Sequence, residues 1–179
     1  MIGLNFVPVT RQTWPDFEKL FEQSGGPKYC WCMSWRELAG RQSSSGADKK
    51  RAMESTIAAG TPVGIIARAG EEVVGWCSVA PRESFRKLSP DQNDNEKDIW
   101  SIVCFFVARP HRAVGIGPRL LEAAVDHAFK SGASAVEAYP VDPDSPSFRF
   151  MGFKPMFAAR GFHETGMAGS RRHVMRLVR

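Results

Sequence analysis

Long apolar runs are missing from this chain, and so are the leader and the dense cysteine pattern of many exported proteins. None of its 179 residues belongs to a stretch of membrane-spanning length. The opening Met1-Ile-Gly-Leu-Asn-Phe-Val-Pro lacks the basic start and unbroken apolar segment of a secretory signal. The expectation is a cytoplasmic protein with no membrane partner. Four cysteines, at 30, 32, 77 and 104, are too few for a disulfide-stapled scaffold, and two of them, Cys77 and Cys104, sit in apolar strand patterns as reduced thiols do. Histidine is equally sparse: positions 111, 127, 163 and 173 show no paired ligand spacing, and Cys30-Trp31-Cys32 brings no two further ligands with it. No metal site is expected, and a disulfide between cysteines two apart would be strained. There is no internal repeat, and the absence of a GxxxxGK(S/T) run argues against a nucleoside-triphosphate enzyme.

What remains is enough for one domain, residues 1–179. Hydrophobic residues make up 43% of the chain, and no break in composition suggests a second unit. The net charge of +5 raises a nucleic-acid partner, but the basic residues are dispersed and only Arg171-Arg172 forms a local pair, which disfavours that reading. A basic binding module stays as an alternative, one whose affinity would fall steeply with salt.

The most informative segment is Val107-Ala-Arg-Pro-His-Arg112-Ala113-Val114-Gly115-Ile116-Gly117. It joins the nearly continuous apolar run Trp100–Val107, suited to a strand covered on both faces, to a helix expected from Pro118. In that helix Leu120, Leu121, Ala124, Val125, Ala128 and Phe129 recur at three- and four-residue spacing. A glycine-bearing turn before a helix start presents backbone N–H groups without internal partners at the positive end of the helix dipole, which suits an anionic cofactor. Arg112 adds a permanent fork of donors, and Pro118 fits the first helical position.

Arg112-x-x-Gly115-x-Gly117 resembles the acyl-CoA signature (Q/R)xxGx(G/A) of the GNAT family of N-acetyltransferases. The resemblance extends through strands expected at Gly64–Ala67, Val73–Ala80, Ala135–Tyr139 and His173–Val178, and through Arg160-Gly161-Phe162. It covers residues 60 to 179. It implies an α/β domain with a twisted, mostly antiparallel mixed sheet flanked by helices, in which parallel strands four and five splay apart. It further implies acetyl-CoA as acyl donor, with pantetheine and thioester along the Phe105-Phe106-Val107 backbone and the pyrophosphate on the amides of Arg112 to Gly117. The acceptor implied is a primary amine, on a small molecule or a protein, attacking directly in a ternary complex. A homodimer is left open. An acyl-CoA-binding module without catalysis is the competing possibility, because the family's usual tyrosine acid, four residues before Gly161, is Phe157 here.

Tyr139 is the nearest substitute acid by type, with Glu137 on the same strand face; packing and a solvated charge are the competing roles. Cys104 stands where some relatives place a carboxylate, and reads as packing. Upstream, Thr10 is the expected cap of a helix carrying Phe17, Leu20 and Phe21, and Ala47–Ala59 forms a second helix after the polar loop Gly40–Gly46. In the family these helices (within residues 1–60) and their connection form the acceptor side. Tyr29, Trp31, Met33 and Trp35 then suggest an aromatic pocket, closed by Arg82 and Phe85 of a mobile 81–98 loop, or else aromatic packing beneath the sheet.

Overall fold

The computed structural model describes residues 3–38 and 45–179; positions 40–44 of the expected polar loop therefore lie outside the described residues. The strands are β1 (Leu4–Pro8), β2 (Ile65–Ala69), β3 (Glu72–Pro81), β4 (Ile99–Val107), β5 (Ala135–Ala138), β6 (His163–Ala168) and β7 (Arg172–Val178). They form one seven-stranded sheet in the order β1-β2-β3-β4-β5-β7-β6. Only β4 and β5 run parallel, through four residue pairs from Ile99↔Ala135 to Ile102↔Ala138; every other pairing is antiparallel. The helices are α1 (Trp14–Glu22), α2 (Gly46–Ala58), α3 (Ile116–Lys130) and the short α4 (Lys154–Ala159). None of the described helices is long and apolar enough to cross a membrane.

Alternation in the central strands makes two cores, one on each face of the sheet. Ile66 and Trp76 pack with Phe17, Leu20 and Phe21 of α1 and with Met53 and Ile57 of α2. Ile65, Cys77 and Val79 pack with the buried stripe of α3, Leu120, Leu121, Ala124, Val125 and Ala128. Trp76 is fully buried against Phe17, ring centroids 4.7 Å apart at a steep angle. Burial of each such large side chain stabilises by about 1.5–3 kcal/mol, so these stripes fix which helix covers which face.

Several boundaries move from the expected ones. The cap of α1 is Thr13, whose hydroxyl donates to the Pro8 carbonyl and accepts from the Thr10 N–H. Helix α3 starts at Ile116, so Pro118 is its third residue; its missing N–H is still one the helix would leave unpaired. Strand β5 ends at Ala138, one residue before Tyr139, and an additional edge strand, β6, pairs with β7. The 81–98 segment is anchored rather than loose: Arg82, Phe85 and Leu88 are all buried.

Two local features open a gap in the sheet beyond Ile102. The register of β4 against β3 steps by one residue, Ser78 facing Cys104 while Val79 faces Ile102, so Val103 is a bulge that bends the strand. On the other side β5 runs into Tyr139-Pro140, and proline has no N–H with which to continue a ladder. Close approach is built into β3 as well, because a Cβ on Gly75 would lie 2.9 Å from Leu120 Cδ1 and 3.4 Å from Ile116 Cγ2. Gly75→Val should therefore lift the first turns of α3 and destabilise the fold by about 1–3 kcal/mol, the usual range for overpacking. A lower midpoint in urea unfolding checks this.

Candidate functional site

Two concavities are lined in part by the freed part of β4. Val107, His111, Arg112, Ala113, Gly115, Ile116, Gly117 and Pro118 line the first, about 260 Å³ in volume. Its floor is the turn into α3. Gly115 takes a left-handed conformation, φ +82°, and Ala113 another, φ +62°, which folds the chain so that successive amides line the hollow. No side chain caps α3 and no acidic residue lies in its first turn, while His127 and Lys130 sit in the last, the arrangement that leaves the positive end available to an anion. Arg112 Nε donates to the Val107 carbonyl at 2.9 Å, with the guanidinium 6.0 Å from the Phe106 ring. Its remaining N–H groups are held beside the hollow. The preceding turn is tied down by His111 Nε2, 3.1 Å from Glu72 Oε1.

The second concavity, about 140 Å³, is lined by Pro27, Tyr29, Cys30, Cys32, Ser34, Trp35, Cys104, Phe105, Phe106 and Phe150. It holds no carboxylate. The Trp35 ring has the Arg172 guanidinium 4.5 Å from its centroid and that of Arg86 at 6.0 Å, so the rim is cationic. Of the residues expected to bind an acceptor, Tyr29, 74% exposed, and Trp35 are therefore here. Trp31, Arg82 and Phe85 do not line this cavity. Trp31 is buried against Phe21 at 5.3 Å and Trp14 at 6.0 Å, as a core residue. Phe85 lies beneath the Arg36 guanidinium, 4.3 Å from its ring centroid.

Arg82 belongs with Glu137 and Tyr139, away from either concavity. Arg82 Nη1 donates to Glu137 Oε1 at 3.0 Å, the Tyr139 hydroxyl donates to Glu137 Oε2 at 2.9 Å, and Ser101 Oγ is 3.2 Å from the same hydroxyl. Arg176 Nη2 completes the group 3.3 Å from Glu137 Oε1. Burial, and then the Glu137 charge, push the Tyr139 phenol well above its ordinary range. With the ring fully buried and the proton committed to a carboxylate, neither residue meets the space beside β4. The Phe157 ring, in the place of the family's tyrosine, is fully buried, 5.9 Å from the Phe105 ring, and does not line the second cavity.

The cysteines are closer to the site than the sequence suggested. Cys32 and Cys104 both line the second cavity, from residues 72 positions apart in the chain. Interaction with the Cys104 thiol and the Arg36 charge lower the Cys32 pKa to about 7, against the opposing effect of burial. Interaction with Cys32, and burial, move Cys104 well upward. Burial likewise raises Cys30 and Cys77. All four thiols are free, and among the described residues no group of three His, Cys, Asp or Glu side chains is placed to hold a metal ion. Cys104, in the carboxylate position of some relatives, was one sequence signal, and the Cys30-Trp31-Cys32 segment, open between pocket wall and core, was the other; Cys30 and Cys32 line the cavity while Trp31 is core.

Residues 12–153 match the family model described as the acetyltransferase (GNAT) family. No curated protein sequence matches the chain significantly. Solved structures do. A putative acetyltransferase from Salmonella typhimurium, with its cofactor acetyl-CoA, is 14% identical with a TM-score of 0.57, over 98% of this chain and 93% of that one. An N-acetyltransferase from Thermoplasma acidophilum in complex with coenzyme A is 13% identical with a TM-score of 0.59, over 99% of both chains. A ribosomal-protein-alanine N-acetyltransferase from Brucella melitensis is 17% identical with a TM-score of 0.59, over 98% and 99%. At these identities the likeness is one of fold.

Tyr139→Phe tests the structural role of the buried network. It should cost about 1–3 kcal/mol, since Glu137 loses a donor it cannot replace from water, and should leave acetyl-CoA turnover near the parent level. Urea unfolding beside a thiol-release assay checks both halves.

Proposed function

The chain belongs to the GNAT family of acetyltransferases, and from that premise we propose that it transfers an acetyl group from acetyl-CoA to a primary amine by direct attack in a ternary complex. The observation that carries this reading is that one strand, β4, lines both concavities, Val107 the one at the start of α3 and Cys104, Phe105 and Phe106 the apolar one. A pyrophosphate on the amides of Gly115, Ile116 and Gly117, with Arg112 beside it, leads a pantetheine arm along Phe105 to Val107 into the opening beyond Ile102. Strand β4 has no β5 partner there, so every second residue turns backbone groups into the gap. An N–H of that edge can bind the thioester oxygen as it becomes an oxyanion, and a preorganised donor of this kind contributes about 2.7–4 kcal/mol to lowering a barrier.

The amine then occupies the thiol and aromatic cavity. Nitrogen attacks the carbonyl carbon, the tetrahedral adduct collapses, and the departing CoA thiolate takes a proton from the former amine. No side chain need carry the acetyl group. Tyr29, Trp35 and Phe150 favour an amine on an apolar or aromatic body, while the lack of a carboxylate and the cations of Arg86 and Arg172 disfavour polyamines and aminoglycosides. Four free thiols fit work in the reducing cytoplasm.

Gly115→Glu tests the donor site. The glycine Cβ position is open, so the cost to the fold is the left-handed backbone, about 1–2 kcal/mol. A carboxylate among the phosphate donors should weaken CoA binding about 100-fold or more, as two lost tenfold steps of 1.4 kcal/mol require. Calorimetric titration with CoA reads this, and unchanged affinity would remove the site. For the acceptor, acetyl-CoA consumption is measured with 2-phenylethylamine, a hexyl monoamine, an alanine-initiated peptide, spermidine and kanamycin. Turnover should be greatest with the first two; preference for spermidine or kanamycin would overturn the acceptor assignment.

A further inference from the structure

A third concavity, about 300 Å³ in volume, shares no lining residue with the two described above. Met33, Arg36 and Glu37 line it from the turn after Cys32, and Glu83, Ser84 and Phe85 from the segment that follows β3. These two stretches are tied together, because the Arg86 N–H donates to the Trp35 carbonyl at 2.8 Å and the Arg86 guanidinium to the Ser34 carbonyl.

Packing alone does not account for Arg36. Its side chain lines this space, yet the residue is only 5% exposed, and among the described residues no carboxylate pairs with it. Nη2 donates to the Val63 carbonyl at 3.3 Å, Nη1 makes no hydrogen bond among the described residues, and Nε is buried without a partner. The guanidinium otherwise rests on the Phe85 ring, 4.3 Å from its centroid. One long hydrogen bond and an aromatic face do not compensate a buried cation. Nor does the Val63 carbonyl depend on it, since the Ser78 hydroxyl donates to the same oxygen at 3.4 Å. Other polar groups around the space are equally uncommitted: the Thr61 and Ser84 hydroxyls and the Glu37 and Glu83 carboxylates make no hydrogen bond or ion pair among the described residues.

The signs of these charges select the ligand. A simple anion would satisfy Arg36 but meet two carboxylates, and a simple cation would pair with the carboxylates but face Arg36. A molecule that carries a carboxylate and an ammonium on one carbon meets both demands. Met33 and Phe85, both buried, supply apolar contact for what that carbon also bears. We propose that this concavity binds a free α-amino acid with an apolar side chain, its carboxylate on Arg36, its ammonium toward Glu37 and Glu83, and the Thr61 and Ser84 hydroxyls as further partners. The site stands apart from the transferase reading, since none of its residues lines the turn before α3 or the second cavity.

Calorimetric titration of the wild-type protein with L-leucine and with L-methionine should show saturable binding, and each should raise the midpoint of urea unfolding, as a ligand of the native state does. Two leucine analogues that each lack one charge, 4-methylpentanoate and 3-methylbutylamine, should bind about tenfold or more weakly. Arg36→Met separates a ligand site from a packing role. Methionine can stay against Phe85 and removes an uncompensated charge, so unfolding without ligand should occur at the same or a higher urea concentration. Affinity for L-leucine should nevertheless fall about 30-fold or more, with the CoA Kd unchanged. Glu37→Gln combined with Glu83→Gln, both at exposed positions, should abolish the preference for L-leucine over 4-methylpentanoate. The assignment is overturned by absence of wild-type binding at millimolar L-leucine and L-methionine, by undiminished L-leucine affinity in Arg36→Met, or by 4-methylpentanoate binding as tightly as L-leucine. Should Arg36→Met not fold, the double glutamine protein decides: a retained preference for L-leucine overturns the site. Failure of the wild type to bind CoA would overturn the transferase reading and leave this one standing.

Discussion

Four residues of parallel pairing, Ile99–Ile102 against Ala135–Ala138, decide where chemistry can happen in this protein. Had the ladder continued, β4 would spend its backbone donors on β5 and no edge would be left free for a ligand. It stops for two independent reasons, the bulge at Val103 and the loss of an N–H at Pro140. The strand stays rigid all the same, because β3 holds its other edge as far as Gly75↔Val107. A backbone edge that is open on one side and fixed on the other is preorganised, which separates a catalytic donor from a frayed one.

The buried network around Glu137 gains its meaning from this fork. Arg82 follows β3, Ser101 lies on β4, Glu137 and Tyr139 at the end of β5, and Arg176 on β7, so one carboxylate links four neighbouring strands just where two of them begin to part. A buried ion pair with good geometry adds little net stability, but breaking one by removing a partner is expensive. Such a network therefore resists sliding or further splitting of the strands. It acts as a brace at the base of the opening, and the tyrosine that chemical type alone would nominate as an acid is part of that brace.

What the sequence revealed and what it concealed divide along locality. The strand, the turn and the helix start from Trp100 to Gly117 are consecutive, so apolar runs, two glycines and an arginine were enough to nominate a candidate anion site. The strands at 64–67, 73–80, 135–139 and 173–178 were legible because each carried its own pattern, whereas β1 and the edge strand β6 were not expected. Tyr29 and Trp35 were legible as candidates, but nothing in alternate aromatic spacing distinguishes them from Trp31, whose left-handed backbone turns its ring into the α1 core instead. Arg82 and Glu137 are 55 residues apart and Cys32 and Cys104 are 72 apart. Each pair exists only once the sheet has formed, and neither member has a local signal that announces the other.

The charge pattern of the second cavity follows from the same geometry. An ammonium entering a space lined by Tyr29, Trp35, Phe106 and Phe150 loses water and meets no carboxylate, so its neutral form is favoured by desolvation. Arg86 and Arg172 against the faces of Trp35 add repulsion in the same direction. An acidic residue in the cavity would hold the amine tightly as a cation, and attack would then have to break that pair. The apolar wall and the cationic rim thus act in one direction, both favouring the uncharged form of an amine held there.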